Sequence, residues 1–314
     1  MRQPNFVLIG LAIAVITGLV VLADVLGHRL PQADANIVLS DIPAPNEDTA
    51  YWPDPSRVRF AVASVLSPQT TLEHYGALAN YLSIRLGRPV ELVQGKSYAE
   101  TNALVRSGDV SVALVCSGAF VMGRREFGME ALAVPVVDGK VTYQSYLIVP
   151  SNSNVRTWKD LRQKTFAFTD PLSNSGRLVP VYMLTKMGET PDSFFKNFIF
   201  TYSHDKSIQA VAEGLVEAAA VDSLVYNFII QQDPSLAKKT RIVWESPDYG
   251  INPVVVNPGA SPQLREELKT ILLNMAGDPD GRGILQRLNI NAFVTPDPSA
   301  YDLIEAMLHD TKAL

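Results

Sequence analysis

The sequence predicts a two-lobed α/β chain with an N-terminal transmembrane helix. Three observations carry that prediction. Strand-like and helix-like runs alternate from residue 57 to residue 119, and a second alternation begins after residue 143. A late apolar run at 251–259 can return as a strand to the first half. Ahead of both, Phe6 to Ala23 is an uncharged apolar run of 18 residues.

That run follows Arg2 and precedes Asp24. It is long enough to cross a bilayer and exceeds the usual signal-peptide core of about 7–15 residues. Arg2 and the amino terminus favour a cytoplasmic N-terminus, with the rest of the chain beyond the membrane. The alternative is cleavage near Ala23, after the small-residue pattern Val21-Leu-Ala23, which would release a secreted protein. Residues 31–57 hold five prolines and several acids without a sustained period, the composition of an extended linker. A spacer in that place favours a retained anchor. The expected organisation is therefore an anchor or signal segment at 1–30 and a linker at 31–57. One lobe is expected from 58–148 with 251–314, and the other from 149–250.

The elements follow in order. "RVRFAVASV" (57–65) alternates and then turns apolar, a strand entering a core. Leu72, Tyr75, Leu78, Ala79, Leu82 and Leu86 form a helical stripe closed by Gly87. "PVELVQG" (89–95) reads as a strand, "YAETNALVRSGDV" (98–110) as a helix with a glycine stop, and "SVALVCSGA" (111–119) as a buried strand. This order predicts parallel pairing through right-handed crossovers. After "ALAVPVV" (131–137), the turn Asp138-Gly139 leads to the strand "TYQSYLIVP" (142–150). The second alternation has strands at 165–170, 198–203 and 216–221 and helices at 176–188, 205–214 and 222–232. "INPVVVNPG" (251–259) is the late strand, and helices near 261–275, 280–288 and 298–310 complete the chain.

The 314 residues are 47% apolar and 19% charged, with a net charge of −5 and no long basic run. Such a chain buries a sizeable core and lacks the clustered Lys and Arg that nucleic-acid binding needs. A small anion stays open as a partner, because backbone dipoles hold one without a full positive charge. Cys116 is the single cysteine, so no internal disulfide forms, and His28, His74, His204 and His309 are scattered. No zinc spacing and no cofactor motif is present.

In an open α/β sheet, ligands bind beyond the carboxyl ends of strands, at helix N-termini. The loops there are 67–71, 116–120, 170–176, 202–205 and 221–223, rich in Ser, Thr, Tyr, His and Asp. "DPLSNSG" (170–176) crowds Ser173, Asn174 and Ser175 before an apolar run. One of them suffices as a helix cap, while all three together could cradle an oxyanion. Pro180 places the regular helix close behind it or kinks it there. In Ser203-His204-Asp205, adjacency rules out a catalytic relay geometry. Asp205 as a cap beside a ligand-facing His204, donating more strongly when protonated, competes with a plain surface histidine. Cys116, ending a buried strand, reads as a small core residue, while Tyr75 and Tyr143 read as core aromatics or as cleft lining.

Taken together, "SPQTTLEHYGALANYLSIRLGRPVEL" (67–92), "YQSYLIVPSNSNVRTWKDLRQKTFAFTDPLSNSGRLVPVYML" (143–184) and "SHDKSIQAVAEGLVEAAAVDS" (203–223) resemble the PhnD-like phosphonate, phosphite and phosphate substrate-binding proteins of ABC importers. The resemblance covers roughly 58–260. It implies a type II periplasmic-binding-protein fold, a Venus flytrap that binds and does not catalyse. It implies that Ser173, Asn174 and Ser175 hold a phosphorus oxyanion with Tyr143 and His204. Thr70 and Ser117 would contribute from the first lobe, and Asp222 would accept from a ligand P–OH or ammonium group. It further implies a monomer on the extracytoplasmic side, served by an ABC transporter permease, with no cofactor; the tether at residues 6–23 comes from the apolar run and differs from a freely diffusing binder. Two departures bear on the ligand. The family's Gly-Pro-x-Ser-Tyr loop is Cys116-Ser-Gly-Ala-Phe120 here, so Phe120 lacks a hydroxyl, and Asn174 stands where Thr is common. Closure is expected about crossovers near 148–151 and 250–256. Two rival readings are a tethered sensor without an importer and an enzyme using His204, Asp205, Asp222 or Cys116.

Overall fold

A computed structural model of the protein describes Val38–Leu39 and residues 58–311. The apolar run 6–23 and nearly all of the linker lie outside the described residues. Among the described residues no helix is long and apolar enough to cross a membrane.

The first half runs β1 (Val38–Leu39), β2 (Val58–Val62), α1 (Pro68–Leu86), β3 (Val90–Gln94), α2 (Tyr98–Ser107), β4 (Val112–Leu114), α3 (Ser117–Phe127) and β5 (Glu130–Val136). β2 lies between β3 and β4 and pairs parallel with both; the alternation predicts the parallel pairing and leaves the order open. The expected Asp138-Gly139 turn follows β5. Both residues have positive φ, 50° and 75°, the pairing a two-residue hairpin turn requires. It leads into the short strand β6 (Thr142–Tyr143).

The second half runs β7 (Ser145–Pro150), β8 (Thr165–Phe168), α4 (Val179–Lys186), α5 (Pro191–Phe194), β9 (Asn197–Phe200), α6 (His204–Ala212), β10 (Ala218–Asp222), α7 (Ser223–Gln232), α8 (Pro234–Lys239) and β11 (Thr240–Glu245). Its strands form a five-stranded sheet in the order β11-β7-β10-β8-β9. The chain then returns through β12 (Tyr249–Gly250), β13 (Val254–Val256), α9 (Pro262–Asn274), α10 (Pro279–Arg287), β14 (Ala292–Val294) and α11 (Asp302–Thr311). β13 inserts antiparallel between β4 and β5. The first sheet is thus seven-stranded, in the order β1-β3-β2-β4-β13-β5-β14. The late strand does return to the first half.

β7 pairs along its whole length within the second sheet. The first passage between sheets therefore lies at 137–144, slightly ahead of the expected 148–151. There β6 pairs with β12 in a separate two-stranded ribbon, Tyr143 opposite Tyr249 and Thr142 opposite Gly250. The two passages between lobes run side by side through this ribbon.

Alternation of side chains explains the packing. In the fully buried β10, Ala218 and Ala220 face an aromatic cluster, while Ala219 and Val221 face Ile208 and Val211 of α6. The small alanines leave room for Phe166, Phe168 and Phe195. Phe166 and Phe195 stack with ring centroids 4.4 Å apart. In the first lobe, Leu78 and Leu82 of α1 pack on Phe60, Val112 and Val254. α1 ends at Gly87 with φ 66°, the left-handed cap that glycine adopts without strain.

Candidate functional site

The serine-rich loop follows β8. Its helix opens with one π-type turn, Asn174–Leu178, in which the Leu178 N–H reaches the Ser173 carbonyl at 2.9 Å. α4 begins only at Val179, and Pro180, which has no N–H to give, fits its first turn. Ser173, Asn174 and Ser175 are all fully buried, but they do different things. Ser173 Oγ accepts from Gly176 N at 2.9 Å and is the cap. Asn174 Nδ2 donates to Tyr143 Oη at 3.0 Å, and its Oδ1 has no partner. The Ser175 hydroxyl also has none, although its carbonyl accepts from Ser145 Oγ at 2.7 Å. The cap needs one residue, which leaves two buried polar side chains with unmet capacity.

The first lobe meets this loop at the start of α3. A Cβ on Gly118 would lie 2.5 Å from the Leu172 carbonyl and 2.8 Å from Asn174 N. Ser117 Oγ and Tyr143 Oη share a 2.6 Å hydrogen bond. Ser117 N donates to Asn252 Oδ1 at 3.0 Å, and Asn252 Nδ2 donates to Asp222 Oδ2 at 3.2 Å. Asp222 Oδ1 accepts from Leu224 N and Val225 N and caps α7. Burial nevertheless pushes the Asp222 carboxyl up to about 6.

His204 is the first residue of α6 and is buried rather than a surface histidine. Its Nδ1 accepts from the Asp222 backbone N–H at 3.1 Å. The Thr169 hydroxyl lies at the same distance from Nδ1. A ring nitrogen that accepts a backbone N–H carries no proton, so Nε2 is the ring's donor. Burial pushes the imidazole down to about 3. His204 is therefore a neutral donor, which corrects the expectation that it gains strength by protonation.

Three residues singled out in the sequence make contacts of their own. Thr70 is half-buried, and its hydroxyl bonds Ser67 Oγ at 2.9 Å in the first turn of α1, not the Tyr143 group. Phe120 lies in the same first-lobe apolar cluster as Tyr143. Its ring packs edge-on against Tyr301 at 4.8 Å, beneath the Arg124 guanidinium, so its missing hydroxyl concerns the first-lobe core. Burial pushes the Cys116 thiol up to about 11, against the pull of the Asn174, Gly118 and Ala119 N–H groups. At neutral pH it is a thiol, not a nucleophile.

Two residues escaped the sequence reading. Tyr98 opens α2 and is fully buried, with a hydroxyl that has no partner. Burial holds that hydroxyl well above its ordinary range, reinforced by nearby Cys116, Asp170, Asp222 and Tyr143. Its backbone N–H donates to Asp170 Oδ2 at 3.0 Å, tying α2 to the serine-rich loop. The signal is positional: residues 95–97 follow β3 and form one more loop at a strand's carboxyl end. Asn252, which bridges Ser117 and Asp222, lies in the return passage and has no local signature.

A family model described as ABC transporter, phosphonate, periplasmic substrate-binding protein matches residues 60–301. The chain is 28% identical over 260 residues to the phosphate-import protein PhnD of Mycolicibacterium smegmatis, covering 78% of this chain and 81% of that one. It is 25% identical to the phosphonates-binding periplasmic protein of Escherichia coli, over 74% of this chain and 70% of that one. In fold it is similar to PhnD1 of Prochlorococcus marinus in complex with methylphosphonate. The TM-score is 0.75 at 21% identity, covering 83% of this chain and all (100%) of that one.

Proposed function

We propose that this chain, which belongs to the family of periplasmic substrate-binding proteins of phosphonate ABC transporters, captures a phosphonate, phosphite or phosphate between its lobes and delivers it to an importer. The observation that carries the proposal is the set of buried polar groups left with unmet capacity: Tyr98 Oη, Ser175 Oγ and Asn174 Oδ1. Buried hydroxyls without partners are costly unless something completes them. Tyr98 and Ser175 supply two donors, His204 Nε2 a third, and the amide of Asn174 reorients about Tyr143. Neutral donors suit the task, since hydrogen bonds to an anion strengthen once water is excluded. The N-terminus of α6 adds its dipole.

In this reading Tyr143 and Ser117 hold Asn174 in place, Ser173 shapes the turn, and Asp222 accepts from a ligand P–OH. Thr70 has an outer role in the 67–71 loop. The lobes close about the ribbon of β6 and β12. The protein works as a monomer beyond the cytoplasmic membrane, tethered through residues 6–23, and breaks no bond in its ligand.

Calorimetric titration of the purified full chain tests this. Phosphate, phosphite or methylphosphonate binds, and Ser175→Ala weakens that ligand roughly ten-fold or more, the loss of one hydrogen bond to a charged group. Absence of binding by all three compounds refutes the reading.

A further inference from the structure

Two helices of the first lobe are capped by carboxylates of the second. Ser67 stands at the cap position of α1, yet its side chain caps nothing and bonds Thr70 Oγ1 instead. α1 also has no acidic residue in its first turn. The Ser67 N–H donates to Asp205 Oδ2, from the start of α6, at 3.2 Å. Tyr98 N, at the start of α2, donates likewise to Asp170 Oδ2 at 3.0 Å. A third bond runs the other way. His204 N, the first N–H of α6, donates to the Val65 carbonyl at 3.0 Å. Ser203, at the cap position of α6, makes no side-chain cap of its own. Helix starts leave N–H groups that need acceptors, and here α1 and α6 find them in each other's lobe.

From this geometry we infer that Asp205 is a closure latch: it holds the lobes together by capping α1 across the cleft, without touching the ligand. The N-terminus of α1 carries the positive end of its dipole, and so does that of α6. The Asp205 carboxylate lies at both, and without it two like partial charges face each other. It also occupies the start of α1, where the sequence placed Thr70 as a ligand contact. Asp170 is a second such link, but its Oδ1 also accepts from Leu172 N at 2.8 Å and shapes its own loop. Asp205 is therefore the cleaner residue to test. The latch is modest in strength. A hydrogen bond to a carboxylate is about twice as strong as a neutral one, but Asp205 Oδ1 is buried without a partner, which offsets part of the gain. The inference rests on the oxyanion reading in one respect. His204, whose ring is assigned to the ligand, is the adjacent residue, so a ligand that fixes the ring also fixes the segment carrying the latch.

Single-molecule energy transfer on the full chain, without ligand, tests this. Dyes on Ile84→Cys and Leu215→Cys report the separation of the lobes. Both positions are exposed, one in each lobe, and buried Cys116 stays unlabelled. Asp205→Ala lowers the ratio of short-distance to long-distance molecules about ten-fold. Asp205→Asn, which keeps an uncharged acceptor, lowers it about three-fold. Ser67→Pro removes the donor from the opposite lobe, at a native φ of −61° that suits proline, and lowers the ratio as well. The double variant Ser67→Pro/Asp205→Ala falls no further than the larger single effect, as expected of two groups that bond each other. Effects that add, an unchanged ratio in Ser67→Pro, or a native protein without a short-distance population overturns the latch. Calorimetry with phosphate, phosphite and methylphosphonate separates a latch from a ligand contact. Asp205→Ala raises each measurable Kd by the same factor, because only the closed fraction changes; a change in their relative affinities overturns the inference. If none of the three binds, the oxyanion reading fails and the energy-transfer ratios still decide the latch.

Discussion

His204 offers a direct thermodynamic test of the site. Its imidazole is fully buried and pushed from 6.5 down to about 3. In the unfolded chain it takes a proton below about pH 6.5, while in the folded protein it stays neutral until about 3. The unfolded state then binds more protons, so this group costs stability as pH falls through that window. Between about pH 7.5 and about pH 5 the loss is about 2 kcal/mol. Asp222 acts in the opposite direction. Its folded value of about 6 lies above the ordinary 3.8, so acidification over the same range stabilises the fold, by about 1.4 kcal/mol. The two effects nearly cancel in the native protein. His204→Gln retains an acceptor for the Asp222 N–H and has no titrating ring, so its stability gains relative to native by about 2 kcal/mol on acidification. For a protein of this size that is about 3–4 °C in melting temperature. Scanning calorimetry of both proteins at the two pH values, without ligand, reads the difference. A stability gap between native and His204→Gln that does not change with pH refutes the buried, neutral assignment of His204.

Two further outcomes follow from particular contacts. Tyr98→Phe removes a buried hydroxyl without a partner. The ligand-free protein therefore holds or gains stability, within about 1–2 kcal/mol, while phosphonate affinity falls roughly ten-fold or more; thermal shift and calorimetry together read the opposed signs. Gly118→Ala places a methyl against the Leu172 carbonyl and Asn174 N, both backbone, which cannot yield as a flexible side chain does. The lobes then meet incompletely, ligand affinity falls at least about ten-fold, equivalent to about 1.4 kcal/mol, and small-angle scattering with ligand shows a larger radius than native.

Much of the fold was legible because it is periodic. The alternation at 57–119 predicted that β2, β3 and β4 pair parallel, though not their order, and the apolar "PVVV" in 251–259 was recognisable as a strand bound for the first sheet. The antiparallel direction of β13 was not, because it depends on the ribbon that turns the chain at 249–250. At the site, composition located the serine-rich loop but not the division of labour within it. Ser173 became the cap because Gly176 N stands over its hydroxyl, and Ser175 was left over by the same π-type turn. The tautomer of His204 was out of reach of sequence, since it is set by a backbone N–H 18 residues further on. Tyr98 begins an ordinary amphipathic helix, and nothing local separates its hydroxyl from a surface one. Phe120 misled for the converse reason: its position in a polar loop suggested the cleft, while the first turn of α3 rotates the ring into the core.

The ribbon of β6 and β12 has a mechanical consequence. Tyr143 stands on it, opposite Tyr249, with the two rings 6.3 Å apart, and its hydroxyl reaches Ser117 and Asn174. Any swing of one lobe against the other about this ribbon displaces Tyr143 least and the outer rims most. The fold is a lever whose fulcrum lies beside its most deeply buried hydroxyls, so an ångström-scale adjustment among them is magnified at the periphery, where another protein can feel it.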